Sequence, residues 1–344
     1  MTLPIGHSAI PESFRCARAK DMPMMVTARM IAVMTWPNAV KEKRLLMCKM
    51  RIVGVAAILA GAIAVEAGLA DARPFAKTQQ QFAVGAQYGT THVYVPAEDM
   101  DRFAASFLAT FGGKSSQPMV VTVTPTPSST TWQALTTPVG LISLFGYKTP
   151  IPYPFGEERT GYLVTDMDAA VRSAKKAGAA VLVTPFPSDA VVQWPGGVNM
   201  QLYWHTKAPS YRSLQTVPEN RVYVAPEAAA SFIRSFVGFA HGKIVSDNAR
   251  APGAEIGRPG GTYRRVRIES TFGKITVLVT DGHLAYPYGR ETMGYEVADL
   301  GETLTKAKAS GAIVLIEPYK ADEREAAVLQ FPGGYIAEIH SVAK

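Results

Sequence analysis

The strongest constraint on what this chain can fold into is a segment that occurs twice. Gly161-Tyr162-Leu163-Val164-Thr165-Asp166 leads through Lys175-Lys176-Ala177-Gly178-Ala179 to Gln193-Trp194-Pro195-Gly196-Gly197. Gly294-Tyr295-Glu296-Val297-Ala298-Asp299 leads in the same way through Lys306-Ala307-Lys308-Ala309-Ser310-Gly311-Ala312 to Gln330-Phe331-Pro332-Gly333-Gly334. A long repeat is evidence about architecture before it is evidence about chemistry. Each copy begins with an apolar run that reads as a strand, then places Asp166 or Asp299 where a helix N-cap accepts from exposed N–H groups. Met167, Ala170, Val171, Ala174 and Ala177 recur at helical spacing, as do Leu300, Leu304 and Ala307. Gly178 and Gly311 stand where the chain needs positive φ to leave the helix. Ala180 to Val183 and Ile313 to Ile316 read as strands, ended by Pro185 and Pro318. After a further strand, a Pro-Gly-Gly turn of type II leads into a last one, Met200 to His205 or Ile336 to Val342. The order is β-α-β-β-β.

A second level of repetition lies upstream of each copy. Thr91-His92-Val93-Tyr94-Val95 leads to Glu98, Phe103, Ser106, Phe107, Gly113 and Lys114. Asn220-Arg221-Val222-Tyr223-Val224 leads, at one constant interval, to Glu227, Phe232, Ser235, Phe236, Gly242 and Lys243. Strands are expected at Met119 to Thr124, Thr131 to Leu135 and Leu141 to Tyr147, then at Tyr263 to Glu269 and Lys274 to Thr280. Pro125 to Thr130 and Ala251 to Gly261 read as loops, and the Pro- and Ser-rich stretch after Lys207 as a linker. The chain is therefore expected to be α+β, with four βαβββ motifs in two modules, 88–206 and 220–344, joined by 207–219.

The first part of the chain reads differently. Residues 1–46 carry no periodicity and are expected to be an unstructured extension or an over-long gene start, with Met47 or Met50 the more natural initiator. Residues 47–72 read as a signal peptide: Lys49 and Arg51 precede an apolar run from Ile52 to Val65, and Ala70-Asp71-Ala72 supplies small residues for cleavage before Arg73. That run is about 14 residues, short of the roughly 20 a spanning helix needs. The reading is an exported protein, periplasmic or secreted, without stable membrane insertion after cleavage. The chain has 35 Lys and Arg against 28 Asp and Glu, but the leader holds much of the excess, so the charge argues for no nucleic-acid partner. Cys16 and Cys48 both lie before the cleavage point, so the mature chain carries no thiol for disulfides, thiolate metal sites or nucleophilic catalysis.

The strand-Asp-helix-Gly-Ala pattern at Gly161 to Ala179 and Gly294 to Ala312, with the Pro-Gly-Gly hairpins beyond, resembles the vicinal oxygen chelate superfamily of glyoxalase and bleomycin-resistance-like proteins. The resemblance covers the chain from about Tyr88 onward and implies half-open barrels whose concave faces hold a metal or a ligand. It also implies ligand positions: His92, Arg159 and Gln201 in the first module, and Arg221, Thr292 and Glu338 in the second. A divalent transition metal is the implied cofactor, yet neither set is complete, because a guanidinium has no lone pair to donate. His92 and Glu338 are the best catalytic candidates, and His92, Glu338 and His340 the best metal candidates. His340 alternates with Glu338 and is expected to face the same side. The alternatives are a hydrogen-bonded strand histidine at 92 and an arginine partner for Glu338. Arg159, Arg221, Gln201, Tyr153, Tyr286 and Tyr288 are candidate ligand-binding residues, the arginines for anionic oxygens and the tyrosines as aromatic walls. Three outcomes stay open: a lyase, isomerase or dioxygenase; a binder of a small organic molecule; or a structural protein with filled cavities. A homodimer is left open as well.

Overall fold

The computed structural model describes residues 81–343 apart from 124–127, 152, 155, 157, 187–188, 211–212 and 285–289, with 185–186 as backbone alone. The expected leader and the candidates Tyr286 and Tyr288 lie outside the described residues. Among the described residues no helix is long and apolar enough to cross a membrane.

Four motifs follow one another. The first is β1 (Thr90–Pro96), α1 (Met100–Phe111), β2 (Lys114–Ser115), β3 (Met119–Val121), β4 (Thr130–Thr137) and β5 (Gly140–Tyr147). The second is β6 (Thr160–Val164), α2 (Met167–Lys176), β7 (Ala180–Phe186), β8 (Asp189–Gln193) and β9 (Asn199–Trp204). The third is β10 (Glu219–Val224), α3 (Pro226–Ala240), β11 (Lys243–Pro252), β12 (Thr262–Ser270) and β13 (Gly273–Val279). The fourth is β14 (Glu291–Glu296), α4 (Leu300–Ala309), β15 (Ile313–Ala321), β16 (Arg324–Gln330) and β17 (Ile336–Val342). β11 is an addition to the sequence reading, and it takes in the first two residues of the loop expected at Ala251 to Gly261. Pro185 and Pro318 do not end their strands: β7 runs to Phe186 and β15 to Ala321, and each proline is taken up at an irregularity in the pairing, where no ladder hydrogen bond from its nitrogen is needed. The helix caps act as expected: Asp166 accepts from the Ala169 amide and Asp299 from the Glu302 amide, each at 2.9 Å. Gly196 and Gly333 take φ of 92° and 81° at the third position of their turns.

The strands form two sheets. One runs β2-β4-β5-β1-β6-β9-β8-β7 with β3 on β4, and the other β11-β12-β13-β10-β14-β17-β16-β15. In the second sheet β12 and the β15–β16 turn stand near opposite ends of that order, yet Arg265 on β12 bonds Asp322 in the turn. The sheet must curl to allow it, and this polar face is the inside of the curl. Both sheets are such half-barrels, built from the period-two alternation of their strands. Val93 and Val95 on β1, like Val222 and Val224 on β10, point to apolar cores, while His92 and Tyr94, or Arg221 and Tyr223, point the other way.

The apolar faces are not covered by their own halves alone. One core joins Val93, Phe103, Phe107 and Leu144 of the first motif to Tyr295, Leu304, Phe331 and Ile339 of the fourth. The other joins Val164, Val171, Trp194 and Leu202 of the second to Val222, Phe232, Phe236 and Val277 of the third. Ring contacts carry the junctions, with Phe107 and Tyr295 centroids 5.5 Å apart and Trp194 and Phe239 4.9 Å apart. Where α1 meets α4, the Ser106 and Ser310 hydroxyls pair at 3.2 Å.

Candidate functional site

The inside of the second sheet is filled with ions. Arg221, central on β10 and 1% exposed, faces three carboxylates: Glu255 at 3.0 Å, Glu219 at 3.3 Å and Glu338 at 3.6 Å. Glu255 also takes Arg265 at 2.5 Å and the Tyr263 hydroxyl, and Glu219 takes Arg324 at 3.0 Å and Thr276 at 2.8 Å. Burial alone would raise these carboxyls; the surrounding guanidiniums reverse it, holding Glu219 at about 2 and Glu255 below its ordinary value. Burial disfavours the charge on Arg221, and Glu338 and Glu255 outweigh that and raise its pKa. His340 does share a side with Glu338, and its Nδ1 lies 2.7 Å from Oε2 of that residue. The backbone makes room: a Cβ on Gly294 would stand 2.7 Å from Glu338 Oε2.

The inside of the first sheet is polar but not filled. His92, fully buried, has Nε2 3.2 Å from both the Thr90 hydroxyl and the Tyr203 hydroxyl, and Tyr203 donates onward to Gln201 at 3.0 Å. Gly161 permits this, since a Cβ there would come 2.7 Å from Nε2. His92 Nδ1 stands 3.6 Å from Glu158, whose carboxylate takes the Tyr94 hydroxyl. His92 Nδ1 and Glu158 Oε2 are buried without a hydrogen-bond partner. Beside this group opens a cavity of about 140 Å³ lined by Tyr94, Phe145, Asp189, Gln201, Tyr203 and the β3 end at Val121 to Val123. Tyr94 and Phe145 stack 5.0 Å apart, and burial pushes the Asp189 carboxyl up to about 6.

The remaining candidates lie elsewhere. Arg159 reaches the Gly156 carbonyl at 2.8 Å and sits 5.6 Å from the Tyr94 ring centre. It lines a separate cavity of about 80 Å³ with Glu291, Thr292 and Tyr335. Its backbone amide donates to Glu291, a carboxyl that burial raises to about 7. Tyr153 is 60% exposed, its hydroxyl 3.4 Å from Gln193, and does not line the 140 Å³ cavity.

The residues do not fit the metal that the resemblance implies. In the second sheet a guanidinium, already ion-paired to Glu338, holds the first ligand position. In the first, His92 Nε2 and Gln201 are both engaged by Tyr203, and Arg159 offers no lone pair. Among the described residues no group of three or more His, Cys, Asp or Glu is placed to hold a metal ion.

Sequence reasoning missed Asp189, Glu158, Glu291 and Glu255. The repeat contained a signal for three of them. Glu158 and Glu291 each stand three residues before the glycine that opens a copy, and Asp189 stands four residues before Gln193 where the other copy has Ala326 before Gln330. Glu255 gave no signal, because it comes from a 3₁₀ turn after β11.

No protein-family model matches the sequence, and no curated protein matches it significantly. Among solved structures, a triply substituted 4-hydroxymandelate synthase from Streptomyces coelicolor superposes with a TM-score of 0.50 at 14% identity, over 76% of this chain and 93% of that one. A 2,2',3-trihydroxybiphenyl 1,2-dioxygenase from Sphingomonas wittichii strain RW1 gives 0.49 at 12% identity, over 75% and 90%. The Mn(II)-bound glyoxalase from Novosphingobium aromaticivorans gives 0.48 at 13% identity, over 76% and 83%. Likeness at such identity speaks to architecture alone, and with the four βαβββ motifs and two half-barrels it gives the conclusion that this chain has the fold of the vicinal oxygen chelate superfamily.

Proposed function

We propose that this protein binds a small organic molecule in the half-barrel of its first sheet and uses the second as a closed scaffold. The observation that carries the reading is the contrast between the two inner faces. One keeps a cavity of about 140 Å³ walled by Tyr94, Phe145 and Tyr203. At the matching place in the other, Arg221, Arg265, Glu255, Glu338 and His340 bond to one another. A cavity of this size is comparable to an engineered one of about 150 Å³ that takes up benzene. The filled-cavity reading therefore describes the second half of the chain, and the binder reading the first.

A fragment screen by ligand-observed NMR tests this, run on the protein and on Val121→Trp, which replaces a lining side chain with an indole too large for the space. Fragments that bind the parent and not the variant support the proposal. No bound fragment, or binding that Val121→Trp leaves unchanged, refutes it. Export belongs to the same proposal and rests on the charged, apolar and small-residue order of residues 47–72. N-terminal sequencing of the protein made in its own cell should begin near Arg73; a chain that retains Ile52 to Val65 would refute cleavage, and its recovery in the cytoplasmic fraction would refute export.

A further inference from the structure

We propose that the ligand of the first half-barrel is an organic amine of about one ring, held through its ammonium group by Asp189. The inference rests on the binding reading above and deepens it.

Asp189 opens β8 and pairs by backbone with Tyr203 on β9, which sets its carboxylate at the cavity wall beside the Tyr203 and Gln201 side chains. It is the charged residue of that lining; the others are Tyr94, Phe145, Tyr203, Gln201 and the apolar and hydroxyl side chains of β3 and its exit. Its carboxylate makes no hydrogen bond or ion pair with any described residue, whereas every carboxylate inside the second half-barrel has an arginine or histidine partner. The same strand position in the second sheet, opposite His340, is Ala326. A carboxylate that is half out of water and lacks a cation is destabilised, and a bound cation removes that cost. The rise of its pKa to about 6, caused by burial, is what such a group shows.

The walls suit the same ligand. Aromatic rings attract an ammonium through their negative faces, and Phe145 and Tyr203 line the cavity beside Tyr94, whose ring already carries Arg159 at 5.6 Å. An anionic ligand is disfavoured here, because Arg159 lines the neighbouring cavity with Glu291 and not this one. A neutral ligand would leave Asp189 desolvated and unpaired. The volume restricts the apolar part to about the size of one benzene ring.

The test is a calorimetric titration with three probes of one shape: benzylamine, benzyl alcohol and benzoate. It uses the parent, Asp189→Asn and Val121→Trp in about 0.15 M salt, where long-range attraction to surface charge is screened. The expected result is benzylamine at least about tenfold tighter than benzyl alcohol on the parent, with benzoate weakest. Asp189→Asn should abolish the amine preference and keep the binding of benzyl alcohol, and Val121→Trp should lose both. If the alcohol or benzoate equals the amine on the parent, or if Asp189→Asn keeps the preference, the amine assignment is overturned while the cavity reading stands. If none of the three probes binds the parent at millimolar concentration, both are overturned.

Discussion

Replacing Arg221 with Met keeps most of the volume and removes the charge that three buried carboxylates share. Glu219, Glu255 and Glu338 lie within 3.0–3.6 Å of that guanidinium, and all are nearly fully buried. Removing one partner of a buried pair costs about 3–5 kcal/mol, because the other is left uncompensated. For a protein of this size each kcal/mol lowers the Tm by roughly 2–4 °C, so Arg221→Met should melt roughly 6–20 °C below the parent at neutral pH. The pH dependence is more diagnostic than the size. In the parent, Glu219 is held at about 2 against an ordinary 4.5, so its contribution is fully present above about 4.5 and is lost as pH falls towards 2. At about 1.4 kcal/mol per pH unit, that contribution is about 3 kcal/mol. In the variant Glu219 keeps Arg324 and Glu255 keeps Arg265, but each loses one of its two guanidiniums, so burial pulls both carboxyls up from their values in the parent. Part of the stability that the parent gains as pH rises from about 2 to about 4.5 is therefore missing from the variant. Urea denaturation followed by circular dichroism at pH 3, 4.5 and 6 should show the gap between parent and variant widening with pH. A variant as stable as the parent, or a gap that is flat over that range, would refute the claim that Arg221 is the counter-ion of this half-barrel.

Two further substitutions probe the same logic. Glu291→Gln keeps an acceptor for the Arg159 amide and removes a carboxyl that burial holds at about 7; a raised acid stabilises below its unfolded value of about 4.5 and loses that as pH rises towards 7. The variant should be more stable than the parent by about 1–3 kcal/mol at pH 8 and no more stable at pH 4, as denaturant titration at the two pH values will show. Gly161→Ala places a Cβ 2.5 Å from the Thr90 hydroxyl and the Tyr203 ring and 2.7 Å from His92 Nε2. It should cost about 1–3 kcal/mol by overpacking and weaken ligand binding by moving Tyr203, and a variant that melts and binds like the parent would contradict that geometry.

Much of this architecture was legible because it rests on local rules that repeat. Asp before a helix, Gly after it, Pro-Gly-Gly at a hairpin and alternation along a strand each act within a few residues, and fourfold recurrence turned weak signals into an order of elements. The shared side of Glu338 and His340 and an arginine partner for Glu338 were legible for the same reason, since a period of two fixes the face. What was not legible depends on pairs distant in sequence. Glu255 reaches Arg221 from a turn outside the motif, and Asp189 matters only because curling brings β8 and β3 to one cavity. Arg159 occupies a ligand position in the pattern, but its guanidinium leans over Tyr94 towards another cavity, a choice of rotamer that no spacing encodes.

The cores explain why a closed half-barrel is retained beside an open one. Each core takes one motif from each half, so that Phe107 of the first repeat is buried by Tyr295 of the last, and Phe236 of the third by Trp194 of the second. Deleting either half would strip the other of one wall of both its cores, and the remaining sheet would present its apolar side to water. The duplication is thus hard to reverse once made. The side chains of either inner face can change without touching these cores, but neither repeat can be removed without exposing the other. The halves therefore diverge in chemistry while remaining bound to a common inheritance in folding.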